Sequence, residues 1–207
     1  DVFGVTYDCR KSHIDYAIAL EEYIQEVKEI TGSDKVDLMG LSHGGQYGTT
    51  YLYYYGHKGD VRNAILANPA TGGTTLVSTV FMNEYIDLDL KNVMKFVEHI
   101  FDIEEDFNWI FDLLSLENIV GGANRVLQEE RINYRLSNVP SLLDFVPMDR
   151  FDEVIEHIGL NAEENGKIYS DTVKYHTDVH TGTNLADKFA ELQRKGVKIG
   201  YIIGCGY

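Results

Sequence analysis

The pentapeptide Gly40-Leu41-Ser42-His43-Gly44 constrains this chain more than any other feature, because of what flanks it. Lys35-Val36-Asp37-Leu38-Met39 precedes it and reads as a buried parallel strand. Gly45-Gln46-Tyr47-Gly48-Thr49-Thr50-Tyr51-Leu52 follows and reads as a helix opening on small residues. A chain that passes from strand to helix in so few residues must bend sharply, and the residue at the apex takes a strained backbone angle. Gly40 and Gly44, two positions either side of Ser42, lack side chains where bulk would obstruct the bend. The spacing predicts a nucleophile elbow, with the Ser42 hydroxyl raised above a sheet. The backbone N–H of His43 would then face a developing oxyanion. A plain Gly/Ser turn is the competing reading; the strand and the helix on its two sides favour the elbow.

The surrounding pattern supplies the sheet. Asp1-Val2-Phe3-Gly4-Val5-Thr6-Tyr7 reads as a strand, ending at Tyr7-Asp8-Cys9-Arg10. A helix from about Ser12 to Ile30 follows, with Ala17, Leu20, Ile24 and Val27 on one stripe and Thr31-Gly32 as its stop. After the elbow helix, which runs to about Tyr55, Asn63-Ala64-Ile65-Leu66-Ala67 reads as another strand. Strands and helices alternating at this spacing mean βαβ units and a parallel sheet, so the expected class is α/β. From Thr74 to Asn184 the pattern turns helical, with expected helices at about Ser78–Glu84, Leu90–Phe101, Glu105–Leu114, Ala123–Arg135 and Asp149–Ile158. A helix over Leu185–Lys195, capped by Gly196, and a strand at Val197–Ile203 return to the sheet. The expected organisation is a core at 1–73, a helical cap insertion at 74–184 and a return to the core at 185–207. A chain that starts and stops on strands also reads as a fragment.

Net charge sets limits on partners. At −15, the chain would repel the phosphates of nucleic acid, so nucleic acid is not an expected partner. The same charge opposes electrostatic attraction to anionic lipid while leaving hydrophobic docking open. The two cysteines, Cys9 and Cys205, each end an expected strand and read as buried thiols, with a disulfide between them left open. No dinucleotide fingerprint and no G-x-x-x-x-G-K-[ST] phosphate loop occurs, so no cofactor is expected. His176 and His180 stand at i, i+4 with Asp178 between them, yet no third ligand is near; no metal is expected.

Three stretches together resemble the lecithin:cholesterol acyltransferase-like branch of the α/β-hydrolases. They are Tyr7-Asp8-Cys9-Arg10, where that family usually has Tyr-Asp-Trp-Arg, the elbow from Val36 to Gly45, and Val139-Pro140-Ser141-Leu142-Leu143-Asp144-Phe145-Val146-Pro147 inside the insertion. Ile203-Gly204-Cys205-Gly206 is similar to the family's Tyr-Gly-x-Gly strand end. Two departures stand out: Cys9 replaces the tryptophan, and Leu41 replaces the histidine often found before the serine. The resemblance implies a partial α/β-hydrolase fold with a cap over the serine. It also implies a serine esterase, lipase or O-acyltransferase acting on lipid-like esters through an acyl-serine at Ser42. Partners so implied are small-molecule or lipid esters, with transient contact to a lipid surface through the cap. Phe96, Phe101, Phe107, Trp109, Ile110, Phe111, Leu113 and Leu114 read first as a helical core and, more sharply, as lining for an acyl chain. A degenerate hydrolase fold used as a non-catalytic binding module is the alternative.

Serine needs a histidine base oriented by a carboxylate, in the chain order serine, acid, histidine for this fold. His43, next to Ser42 on the opening turn, should send its ring away from the serine oxygen and serve only through its backbone. His13 reads as a surface or capping residue at a helix start, and His57, His99 and His157 as solvated. Residues 175–182 read as a loop from cap to core. Asn68, in Leu66-Ala67-Asn68-Pro69-Ala70, puts an amide where some lipases carry their acid. The resemblance therefore implies an acid and a base after Tyr207, and an oxyanion-loop residue before Asp1.

Overall fold

The computed structural model describes residues 1–82, 136–180 and 182–204. In chain order the elements are α1 (His13–Thr31), β1 (Val36–Leu41), α2 (His43–Tyr55), β2 (Val61–Ala67), α3 (Thr75–Phe81), α4 (Pro140–Leu143), α5 (Met148–His157), α6 (Ala162–Tyr175), α7 (Gly182–Arg194) and β3 (Lys198–Ile202). A 3₁₀ turn at Gly56–Lys58 follows α2, and a π-helical turn at His176–His180 follows α6.

Local chemistry explains the helix limits. Ser12 caps α1, its hydroxyl accepting the N–H of Asp15 at 3.1 Å. Gly32, at φ 68°, ends it in the left-handed conformation and donates its N–H to the Lys28 carbonyl. Between these caps Ala17, Leu20, Ile24 and Val27 are buried, as their spacing predicts. Ala17, Leu20 and Ile24 pack with Tyr47, Tyr51 and Leu52 of α2 and with Phe189 and Leu192 of α7 in one cluster. Burying each large aliphatic side chain contributes roughly 1.5–3 kcal/mol.

The strands form one parallel sheet in the order β1-β2-β3. The α/β class read from the sequence is therefore present, on a small open sheet. Register places Leu38, Ala64 and Ile199 on one face, the face that packs on the first cluster. Met39 and Ile65, paired in register, and Leu41 and Ile202, each paired with Ala67, share the opposite face and are exposed. A second cluster gathers Phe81, Leu143, Val146, Phe151, Val154 and Leu160 from the stretch between α3 and α6.

Several expectations change. Residues 1–8 form no strand: a strand needs a hydrogen-bonded neighbour, and none of the described strands pairs with them. Val5 and Tyr7 nonetheless pack on the first cluster. Residues 175–180 of the expected loop are helical, continuing α6 through the π turn. Helix α6 itself is an addition to the expected helices. Cys9 is an exposed free thiol rather than a buried one. Helix α3 starts at Thr75, capped by Thr74, earlier than the periodicity predicts. The helices expected at 90–101, 105–114 and 123–135, the apolar residues between Phe96 and Leu114, His99 and Cys205 all lie outside the described residues.

Candidate active site

Ser42 sits between the last residue of β1 and the first of α2 at φ 54° and ψ −119°. This is a strained region for a residue with a side chain, held in place only when the surroundings over-determine it. One restraint is direct: the Ser42 N–H donates to the Ala67 carbonyl at 2.8 Å, joining the apex to the end of β2. The other restraint is packing. A Cβ on Gly40 would stand 2.3 Å from the Gly44 carbonyl oxygen and 2.6 Å from its carbon. One on Gly45 would meet Pro69 and the Ala67 carbonyl at 3.1–3.2 Å, and one on Gly48 would meet Leu66 Cδ2 at 2.8 Å. Glycine at these positions lets α2 fold back tightly over β1 and β2.

Gly44 plays a different part from the one its position suggests. A Cβ there meets nothing within 4 Å. It is the Gly44 backbone that fills the space above Gly40, so the steric demand falls on Gly40 alone.

Ser42 is exposed, as an attacking hydroxyl must be. The N–H of His43, first residue of α2, is one of the helix-opening donors that have no acceptor within their own helix.

His43 sends its ring inward, away from the solvent-facing serine. It stacks on Tyr47 at 4.3 Å and lies against Phe145 at 4.7 Å, and its Nε2 faces His13 Nε2 at 3.1 Å. Burial, and then His13, push the imidazole down to about 4, so it is neutral at physiological pH.

His13 is the largest departure from the sequence reading. It is wholly buried, not a surface residue. Its Nδ1 lies 2.8 Å from Asp144 Oδ2, and its backbone N–H donates to the same oxygen at 2.8 Å. Burial holds the ring well below the usual imidazole range. The Asp144 carboxyl is raised, first by burial and then by Asp171 and Asp15, against the lowering influence of the His13 N–H and His176. An aspartate paired to a histidine Nδ1 has the makeup of an acid–base pair, yet the free nitrogen meets His43 rather than Ser42. No local signal in the sequence marks this pairing, since 131 positions separate its members.

The other candidates separate clearly. His176 has both ring nitrogens against carbonyl oxygens, Thr172 at 2.9 Å and Val146 at 2.8 Å, and stacks on Phe151. His180 is buried beside it, its pKa lowered to about 3 chiefly by burial. Among the described residues no group of three His, Cys, Asp or Glu side chains is placed to hold a metal ion. Asn68, at φ 45°, accepts the Gly204 N–H on its Oδ1 at 2.8 Å and donates its own N–H to the Ile202 carbonyl. It thus joins the end of β3 to the end of β2. No helix among the described residues is long and apolar enough to cross a membrane.

No protein-family model, curated protein or solved structure matches this chain.

Proposed function

We propose that the protein is a serine acyl-ester hydrolase or O-acyltransferase whose nucleophile is Ser42. The observation that carries this reading is the elbow: an exposed serine at φ 54°, between a parallel strand and a helix, over a glycine that admits no Cβ. Maintaining a strained residue costs of order 1–3 kcal/mol, and strain of this kind clusters at functional sites. Ser42 Oγ attacks an ester carbonyl, the carbonyl oxygen becomes an oxyanion, and the His43 N–H donates to it. Collapse expels the alcohol and leaves an acyl-serine, which passes its acyl group to water or to a second alcohol.

The general base and its acid are taken from outside the described residues. Within them, His43 and His13 are committed to each other and to Asp144. The lipid-like character of the substrate rests on the resemblance of the three sequence stretches and on the apolar composition of the insertion.

A series of p-nitrophenyl esters from acetyl to long acyl chains, applied to the full-length protein and to Ser42→Ala, tests the reading. Rising kcat/KM with chain length, abolished in the variant, is the expected result. Better turnover of acetyl than of long-chain esters removes the lipid assignment. Turnover that survives Ser42→Ala removes the nucleophile.

A further inference from the structure

The proposed chemistry uses His43 only through its backbone, and leaves its ring without a task. That ring is nonetheless among the most tightly held groups near Ser42. Asp144 Oδ2, His13 and His43 form an unbroken chain, 2.8 Å at the first contact and 3.1 Å at the second. The Asp144 and His13 side chains have no exposed surface at all. Three separate pieces of the fold supply the members: the first residue of α1, the first residue of α2, and the residue that ends α4.

The chain has a direction. Oδ2 accepts the His13 backbone N–H, and, with that donor already fixing it as an acceptor, the Nδ1 contact is assigned as ring Nδ1–H donating to the same oxygen. A neutral imidazole carries one proton, so the Nε2 of His13 is a bare acceptor. The proton between the two rings must then belong to His43 Nε2, which leaves His43 Nδ1 unprotonated. These tautomers follow from the hydrogen-bond network. A ring tied at Nε2, stacked on Tyr47 and edged by Phe145 has little freedom to turn.

Burying a carboxylate and an imidazole, with a second imidazole half-buried against them, is unfavourable unless they are paired, and Asp144 Oδ1 is left without a partner among the described residues. A core that needed only volume would not be built this way.

We infer that Asp144 and His13 are positioning residues for the elbow: they lock the His43 ring in its Nε2–H tautomer and so fix the His43 backbone N–H beside Ser42. The consequence for rate rests on the nucleophile reading; the locked tautomer does not. Asp144 lies in a segment that also holds the stretch leading into α1, where the Ser141 hydroxyl donates to the Cys9 carbonyl. Nearby, the Thr74 N–H donates to the Phe145 carbonyl at 2.8 Å. Docking of that segment and alignment of the oxyanion donor are therefore one event.

The test compares three forms of the full-length protein: wild type, Asp144→Asn, and the double variant His13→Phe with Asp144→Leu. The double variant fills the space with apolar groups, and the asparagine keeps one acceptor oxygen for His13. Long-range proton–nitrogen spectra of ¹⁵N-labelled histidine report the His43 tautomer, and a fluorophosphonate reports the rate of Ser42 modification. Wild type should show His43 protonated at Nε2 alone, and the double variant a mixture of tautomers. Labelling of the double variant should slow by roughly 10- to 100-fold at nearly unchanged half-saturation, with Asp144→Asn retaining most of the wild-type rate. A wild-type His43 protonated at Nδ1 overturns the proposal without any variant. So does a double variant with wild-type tautomer or wild-type labelling. If wild type itself does not label, the esterase reading fails and the spectra decide: a tautomer fixed in wild type and released in the double variant upholds the positioning, and one free in both overturns it.

Discussion

The Gly40 Cα carries no side chain because the Gly44 carbonyl oxygen occupies the place, 2.3 Å from where a Cβ would stand. Two glycines four residues apart in one motif thus have unequal duties. Gly40→Ala should destabilise the protein by about 3 kcal/mol or more, because backbone rather than a flexible side chain must move. Gly44→Ala should be neutral, or stabilising by up to about 1 kcal/mol, since the position is helical and its Cβ site is open. Urea midpoints of the two variants check this. Equal losses would mean that the strand and helix do not close as described.

Tyr175 and Gln46 give a second prediction. Both are wholly buried, and the Gln46 amide donates to the Tyr175 hydroxyl, while Gln46 Oε1 has no partner among the described residues. Tyr175→Phe keeps the shape and leaves both ends of a buried amide unpaired, which should cost about 1–3 kcal/mol. Adding Gln46→Leu should recover most of it. A double variant weaker than Tyr175→Phe alone would contradict the pairing.

Asn68 supports the site from the far side of β2. Asn68→Asp keeps an acceptor for the Gly204 N–H and tolerates φ 45°, so its melting temperature should stay near wild type. Asn68→Ala loses both properties and should cost about 1–2 kcal/mol. Similar melting temperatures for the two would show that the amide does not secure β3.

Acid should unfold the protein through its buried rings. His13, His43, His176 and His180 are all depressed below the ordinary imidazole value, burial being the first cause for each. A depressed histidine contributes stability that is complete above about pH 6.5 and is lost as pH falls toward its folded value, about 4 for His43. Each ring that takes up a proton only on unfolding adds a slope of about 1.4 kcal/mol per pH unit, and the half-buried His43 adds less. Asp144 acts in the opposite sense: its raised carboxyl contributes stability below the ordinary carboxylate range and loses it as pH rises through the folded value. Four rings against one carboxyl make the net change a loss between about pH 6.5 and about pH 4. Urea midpoints should fall across that window, and the variant His13→Phe with Asp144→Leu, which removes one group of each sense, should keep nearly the same slope. A flat profile would mean that the rings are not buried as described.

Much of what has a local cause is legible in the sequence. The stripe of α1, its glycine stop and the strand–turn–helix at Ser42 are written in short spacings, and all three stand in the structure. Helix α6 carries a local sign too: Asn161 accepts the N–H of Glu164 three residues on, which is an N-cap signal. Gly166, at φ 45° inside α6, and the helix's polar composition hide its periodicity. The burial of His13 has no such sign. Ser12 caps α1, and only the return of Asp144 and Phe145 from far along the chain turns its first residue into core.

Fluorophosphonate labelling of the full-length protein, wild type against Ser42→Ala, with the adduct located by mass spectrometry, tests the central claim most directly. The elbow predicts one adduct per chain, on Ser42, absent from the variant. A folded protein that takes no adduct, or takes one elsewhere, would contradict the assignment of Ser42 as nucleophile and leave the strained serine as part of a binding fold.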